Sequence, residues 1–190
     1  MRVLEKNCKA FKEWAIVVDA LGRGEQVVIF RKGGISEGPG GFDIEDREFF
    51  LFPTYEHQKA DSIVSSHQTR LEELAQSRPQ DGHVHVSFYA SIQRVHKITR
   101  SELLDRVAAF HIWQTSLIHE RFEWGSEKSI HLLILRVFKL PQELKIPYLS
   151  EYGGCKSWVS FQNNFSTAGE SVLSNGDFHR KLHEVESCLE

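Results

Sequence analysis

The chain has 190 residues, 41% hydrophobic and 26% charged, with a formal net charge of −3. That length suits one domain with a substantial core, and the composition is that of a globular chain, not a disordered or fibrous one. The mild acidity excludes a uniformly basic nucleic-acid binder, but residues 1–34 and 77–161 each carry +3, against −6 for 35–76 and −3 for 162–190, so a local basic face is allowed.

Residues 4–13 place Leu4, Cys8 and Phe11 on one helical face, which predicts a short helix. Two apolar runs, 14–21 and 26–31, are separated by Gly22-Arg23-Gly24-Glu25 and predict a hairpin of buried strands. The second strand delivers Arg31, Lys32, Gly33 and Gly34 to its end. A long turn-rich loop follows to Glu48, then a strand over Phe49–Phe52 that Pro53 should stop. A mostly polar helix is expected over 56–76. His83 to Val95 alternates as a half-exposed strand does, and Ser101 should cap a helix reaching Phe110.

A short helix over 115–123 comes next, then a strong strand, Ile130–Leu140, ended by Pro141. Residues 152–161 read as a glycine turn feeding a last strand. The Ser/Asn-rich stretch 163–175 reads as a linker, and 176–190 as an amphipathic helix with Phe178, Leu182, Val185 and Leu189 on one face and Asn175 as cap. The expected organisation is therefore a single α+β domain over 1–162, a linker and a C-terminal helix. With no βαβα alternation, the sheet should be curved and mainly antiparallel or mixed, flanked by helices; a small PUA-like barrel is one form it can take, by analogy only.

Three places carry candidate chemistry. Arg31, Lys32, Gly33 and Gly34 join two cations to backbone that can approach an anion closely, although neither GxxxxGK[ST] nor GxGxxG is present. Lys156 belongs with them as an anion-binding candidate. Tyr55, Glu56, His57 and Gln58 gather a phenol, a carboxylate, an imidazole and an amide where a strand meets a helix, suited to reading a base edge or orienting a water. Trp113, Arg121, Ser157 and Trp158 complete the expected pocket, since planar aromatics and guanidinium groups stack bases and grip phosphates. Each group also has an ordinary reading: charges in water at a strand end, a helix cap, core tryptophans and surface ion pairs.

The chain has ten histidines. His83 and His85 share a strand face and come nearest to a ligand pair, but two residues do not make a site, and no metal or other cofactor is expected. Glu143-Leu144-Lys145 matches the acid-x-lysine string of nucleases but is expected in a loop after Pro141. Cys155, beside Lys156, is the candidate thiol nucleophile, while Ser157 has no G-x-S-x-G elbow. Cys8, Cys155 and Cys188 are odd in number and widely spaced, as in a reducing compartment. No signal-peptide run and no window near about 18 apolar residues is present, so a cytoplasmic protein without membrane contact is expected.

The strings AFKEW, ALGRGEQ, FRKGGISE, FLFPTYEHQ, HIW, RFEW, LLILRVFKL and YGGCKSWV, in that order, resemble the bacterial domain-of-unknown-function family 1802, over roughly residues 9–162 and more loosely the final helix. The resemblance implies no activity. It implies a nucleic-acid setting linked to restriction or defence, because related domains occur beside restriction-endonuclease-like segments, of which this chain has none. The expected function is a nucleic-acid- or nucleotide-binding module. Two alternatives stay open: a small hydrolase using Glu56, His57 and a metal on His83 and His85, and a protein-interaction module docking through its long loop or final helix.

Overall fold

The computed structural model describes residues 4–32, 46–154 and 156–190. Its strands are β1 (Lys6–Trp14), β2 (Val28–Arg31), β3 (Glu48–Thr54), β4 (His83–Ile98), β5 (Ile130–Pro147), β6 (Trp158–Ser166) and β7 (Glu170–Ser171). Its helices are α1 (Ala15–Gly22), α2 (Gln68–Gln76), α3 (Glu102–Arg106), α4 (Thr115–Glu123) and α5 (Asn175–Leu189). The fold is α+β. One mixed sheet runs β2-β5-β4-β3-β1-β6, with β7 on β5, and it does not close into a barrel. Among the described residues only β1 and β3 pair in parallel, and the other strand pairs are antiparallel. No described helix is long and apolar enough to cross a membrane.

The N-terminal elements reverse the expectation. Residues 4–13 carry strand β1, not a helix, because the segment pairs on both edges, with β3 through Ala10↔Phe50 and with β6 through Ala10↔Val159. Phe11 enters one core and Ala10 the other, one on each face of the sheet. Residues 15–22 form α1, not a strand, so the expected hairpin is absent. An apolar run this short does not distinguish a buried strand from a buried helix. The parallel pairing of β1 with β3 decides it, since parallel neighbours need a crossover, and α1 with β2 lies within that crossover.

Two prolines lie inside strands instead of ending them. β4 pairs with β3 only as far as Phe50, so Pro53 meets an uncovered edge on that side. In β5 the register breaks between Phe88↔Lys139 and Val86↔Leu144, and Pro141 sits in that irregularity. Glu143-Leu144-Lys145 is therefore strand, not loop. The expected helix over 56–76 contracts to α2 after two short 3₁₀ turns, and Ser101 makes no side-chain cap bond.

Residues 163–175, read as a linker, carry the end of β6 and all of β7. Arg136, 9% exposed in β5, pins the chain from β7 into α5. It donates to Ser171 Oγ (2.8 Å), the Leu173 carbonyl (3.0 Å) and Asn175 Oδ1 (2.9 Å), and lies 4.7 Å over the Phe178 ring. Asn175 thus serves Arg136, and Ser174 caps α5 by accepting from the Asp177 amide at 3.1 Å. Phe178, Leu182 and Val185 bury the helix against the larger core.

That core also holds His111, 6% exposed, with its ring 5.1 Å from Phe30 and 5.8 Å from Trp113. Neither ring nitrogen makes a hydrogen bond of ordinary geometry among the described residues, and burial, offset only in part by the Trp113 backbone, pushes the imidazole down from 6.5 to about 4. Between those values the unfolded chain binds a proton that the folded one refuses. Stability should therefore fall as pH drops below about 6.5 and level off below about 4, a loss of roughly 3 kcal/mol. In urea titrations across that range, His111→Phe should flatten this part of the curve; an unchanged slope would contradict the assignment.

Candidate functional site

The incomplete sheet makes the site. The β6 ladder on β1 ends at Phe11, with one further bond from the Lys12 amide to the Ser157 carbonyl, which leaves the end of β1 beyond it uncovered on that edge. β2, at the other end of the sheet, curls round towards this gap. The Arg31 guanidinium crosses it: Nη2 donates to the Lys12 carbonyl (2.8 Å) and to Glu13 Oε2 (2.9 Å), with the guanidinium 4.3 Å over the Phe11 ring. One side chain thus does what backbone pairing would do in a closed barrel. Glu13 is 5% exposed, and its Oε1 accepts from the Trp14 amide at 2.8 Å. A cleft of about 870 Å³ opens here, where parallel β1 and β3 end together at Trp14↔Thr54.

Four pieces of chain build its walls. The turn after β3 supplies Tyr55, Glu56 and His57; His57 has φ 61°, the one positive value at a non-glycine residue among those described. Gln58 holds the turn from behind, its Oε1 accepting from the Ile16 amide (3.1 Å) at the start of α1. Arg78 clamps the front, donating to Glu56 Oε1 at 2.7 Å and lying 5.4 Å from the Tyr55 ring centre. Burial raises the Tyr55 phenol. The turn after β5 is fastened by Lys12 Nζ, which donates to the carbonyls of Tyr152 and Gly154 at 2.8 Å each; Lys156 follows on the cleft rim.

The fourth piece is α4, which brings in Arg121. This guanidinium is half-buried and lies 5.6 Å from the Trp14 ring centre. Among the described residues it has no hydrogen-bond or ion-pair partner. Burial depresses its basicity, Glu13 works against that and the Arg31 charge adds to it. Lys12, Arg31, Arg78, Arg121 and Lys156 face only Glu13 and Glu56 among the lining residues, so the described lining carries +3 in a chain of −3.

Arg31, Tyr55, Glu56, His57, Arg121 and Lys156 thus share one cleft, and His83 and His85 stand on its far wall. The other candidates have structural neighbours. The Lys32 ammonium donates to the carbonyls of Phe122 (2.8 Å), Ser129 (2.7 Å) and Glu127. Trp113 is 1% exposed, Trp158 stacks edge-on with Phe11 and Phe49, and the Ser157 carbonyl accepts from the Lys12 amide. Gly33, Gly34 and Cys155 lie outside the described residues.

His85 is held by Asp81 Oδ2 (3.0 Å) and Glu143 Oε1 (2.7 Å), and His83 contacts Asp81. No set of three or more His, Cys, Asp or Glu among the described residues is arranged to hold a metal ion. Glu13, Trp14, Arg78 and Tyr148 were missed by sequence reasoning. Trp14 sat in an expected buried strand, and nothing in its local pattern signals that β1 ends there.

Residues 10–184 match the family described as "Domain of unknown function (DUF1802)". The chain belongs to this family. No curated protein matches it. Among solved structures it is similar to the ASCH protein of Zymomonas mobilis. A tyrosine-to-phenylalanine mutant of that protein aligns at 14% identity over 92% of this chain and 95% of that one, with a TM-score of 0.45. The unmutated protein aligns at 13% identity over 92% of each chain, with a TM-score of 0.42. Similarity at this level says nothing about what the cleft of this DUF1802 member binds, and its chemistry must be read from its own residues.

Proposed function

We propose that the protein binds single-stranded nucleic acid, or the nucleotides that make it up, in the seam cleft. The observation that carries this is Arg121: a half-buried guanidinium with no acceptor among the described residues, stacked on a tryptophan in a cationic cleft. Five N–H donors in a fixed plane fit the oxygens of a phosphate. Unpaired bases present flat faces for aromatic side chains to stack on, and Trp14, Tyr55 and the 52%-exposed Tyr148 line the same cleft. Its volume is that of an ordinary ligand cavity.

The proposal is for binding alone. In the hydrolase alternative Glu56 would act as a base, yet Arg78 already engages it; in the docking alternative the apolar side of α5 is in the core, and the loop over 33–45, the other docking element, lies outside the described residues. A link to restriction or defence rests on the family resemblance alone, and Glu143 of the one nuclease-like string is paired with His85. The free thiols of Cys8 and Cys188 agree with a reducing cytoplasm as its location.

Fluorescence anisotropy with labelled single-stranded RNA and DNA, and a duplex control, tests the proposal. If two or three phosphates are contacted, raising salt from about 50 to 200 mM should weaken binding by about five- to twentyfold. Absence of binding, or affinity indifferent to salt, would overturn the reading.

A further inference from the structure

We infer that the Arg31–Arg121 corner of the cleft receives a phosphomonoester carried on a nucleoside, as a phosphorylated strand end or a free nucleotide, and not an internal phosphodiester. This rests on the nucleic-acid reading above and narrows it.

Charge is the first argument. The corner holds two guanidinium groups and one carboxylate, Glu13, whose oxygens are both engaged, one by Arg31 and one by the Trp14 amide. Arg121 has no hydrogen-bond or ion-pair partner in the described protein, Glu13 and Glu120 acting on it only from a distance. A phosphodiester brings one negative charge and two free oxygens. A monoester brings about 1.5 to 2 charges at neutral pH and three oxygens. Arg121 can take two of these side by side and leave the third for a second cation, Lys156 standing on the same cleft.

Access is the second argument. β1, β2 and α4 meet at this corner, over a floor of buried Glu13 and Phe11 and an Arg31 side chain only 16% exposed. An internal phosphate must have chain entering and leaving past it. A terminal phosphate needs only to arrive from the open cleft, with its nucleoside trailing towards Tyr55 and Tyr148.

The test is competition against a labelled single strand by unlabelled strands of one sequence ending in 5′-phosphate, in 3′-phosphate, or in hydroxyls only. Nucleoside monophosphate and inorganic phosphate are run beside them. One phosphorylated end should compete at least about tenfold better than the all-hydroxyl strand. The advantage should shrink below about pH 6, where the monoester loses its second charge, and vanish in Arg121→Ala. A nucleoside monophosphate as strong as the phosphorylated strand also supports the inference and makes the free nucleotide the ligand. Equal competition by all three strands, with salt-dependent binding intact, overturns it and leaves the broader reading standing. Inorganic phosphate competing as well as any nucleotide overturns it too, and binding of nothing overturns both.

Discussion

Arg121→Ala should lower affinity for single-stranded nucleic acid by about 10- to 100-fold while leaving the protein folded. The size follows from losing hydrogen bonds to a charged phosphate, roughly 1.5 to 3 kcal/mol. The fold should tolerate the change because Arg121 makes no hydrogen bond or ion pair with the described protein. What it loses is its contact with Trp14, worth about 1 kcal/mol or less at a partly exposed site, and the longer-range attraction of Glu13 and Glu120. Arg121→Lys separates charge from geometry: the ammonium keeps the charge but not the planar fork, so it should recover only part of the affinity. Circular dichroism alongside anisotropy distinguishes lost binding from lost fold. Wild-type affinity in Arg121→Ala would end the proposal.

Arg31→Ala should act in the opposite way, through stability, at a cost of about 3 kcal/mol or more in urea denaturation. Its guanidinium bridges β2 to the uncovered end of β1 and is the ion-pair partner of a Glu13 side chain only 4% exposed. Removing it leaves a buried carboxylate whose remaining partner is one backbone amide, and breaking one side of a buried pair is far costlier than replacing both. Arg31→Met combined with Glu13→Gln should therefore recover much of what Arg31→Ala loses. A single-variant effect under about 1 kcal/mol would mean that the seam holds without its stitch. The two arginines line one cleft, but Arg31 commits its Nη2 to Lys12 and Glu13 while Arg121 makes no hydrogen bond among the described residues and leaves its donors for a ligand.

Much of the fold was legible wherever local pattern and tertiary environment agree. α4 forms over the expected residues, β4 and β5 follow their alternating and apolar runs, and α5 buries the face its spacing displays. The errors cluster where apolar spacing fits two periods. Leu4, Cys8 and Phe11 mimic a helix, but Leu4 is 54% exposed and β1 is set by its two neighbours. Ile16 to Leu21 mimic a buried strand because helix α1 is covered on nearly every side. Composition likewise marks 163–175 as a linker, but nothing in that stretch reveals that Arg136, nearly forty residues earlier, gathers its carbonyls.

By itself, then, the sequence determined the fold class, the family, and a set of polar and aromatic side chains from which a site could be drawn: Arg31, Tyr55, Glu56, His57, Arg121 and Lys156 were all within it. Only the tertiary structure decided which of these meet. Lys32 and Trp158 lie within two residues of cleft residues in sequence yet turn away: the Lys32 ammonium is taken up by the carbonyls of Phe122, Ser129 and Glu127, and Trp158, which opens β6, packs its ring on Phe11 and Phe49. Glu13 and Trp14 enter the site because the sheet stops short of closing just there. That gap arises from where β6 leaves β1 and how far β2 curls, a property of the whole sheet that no local window of residues contains.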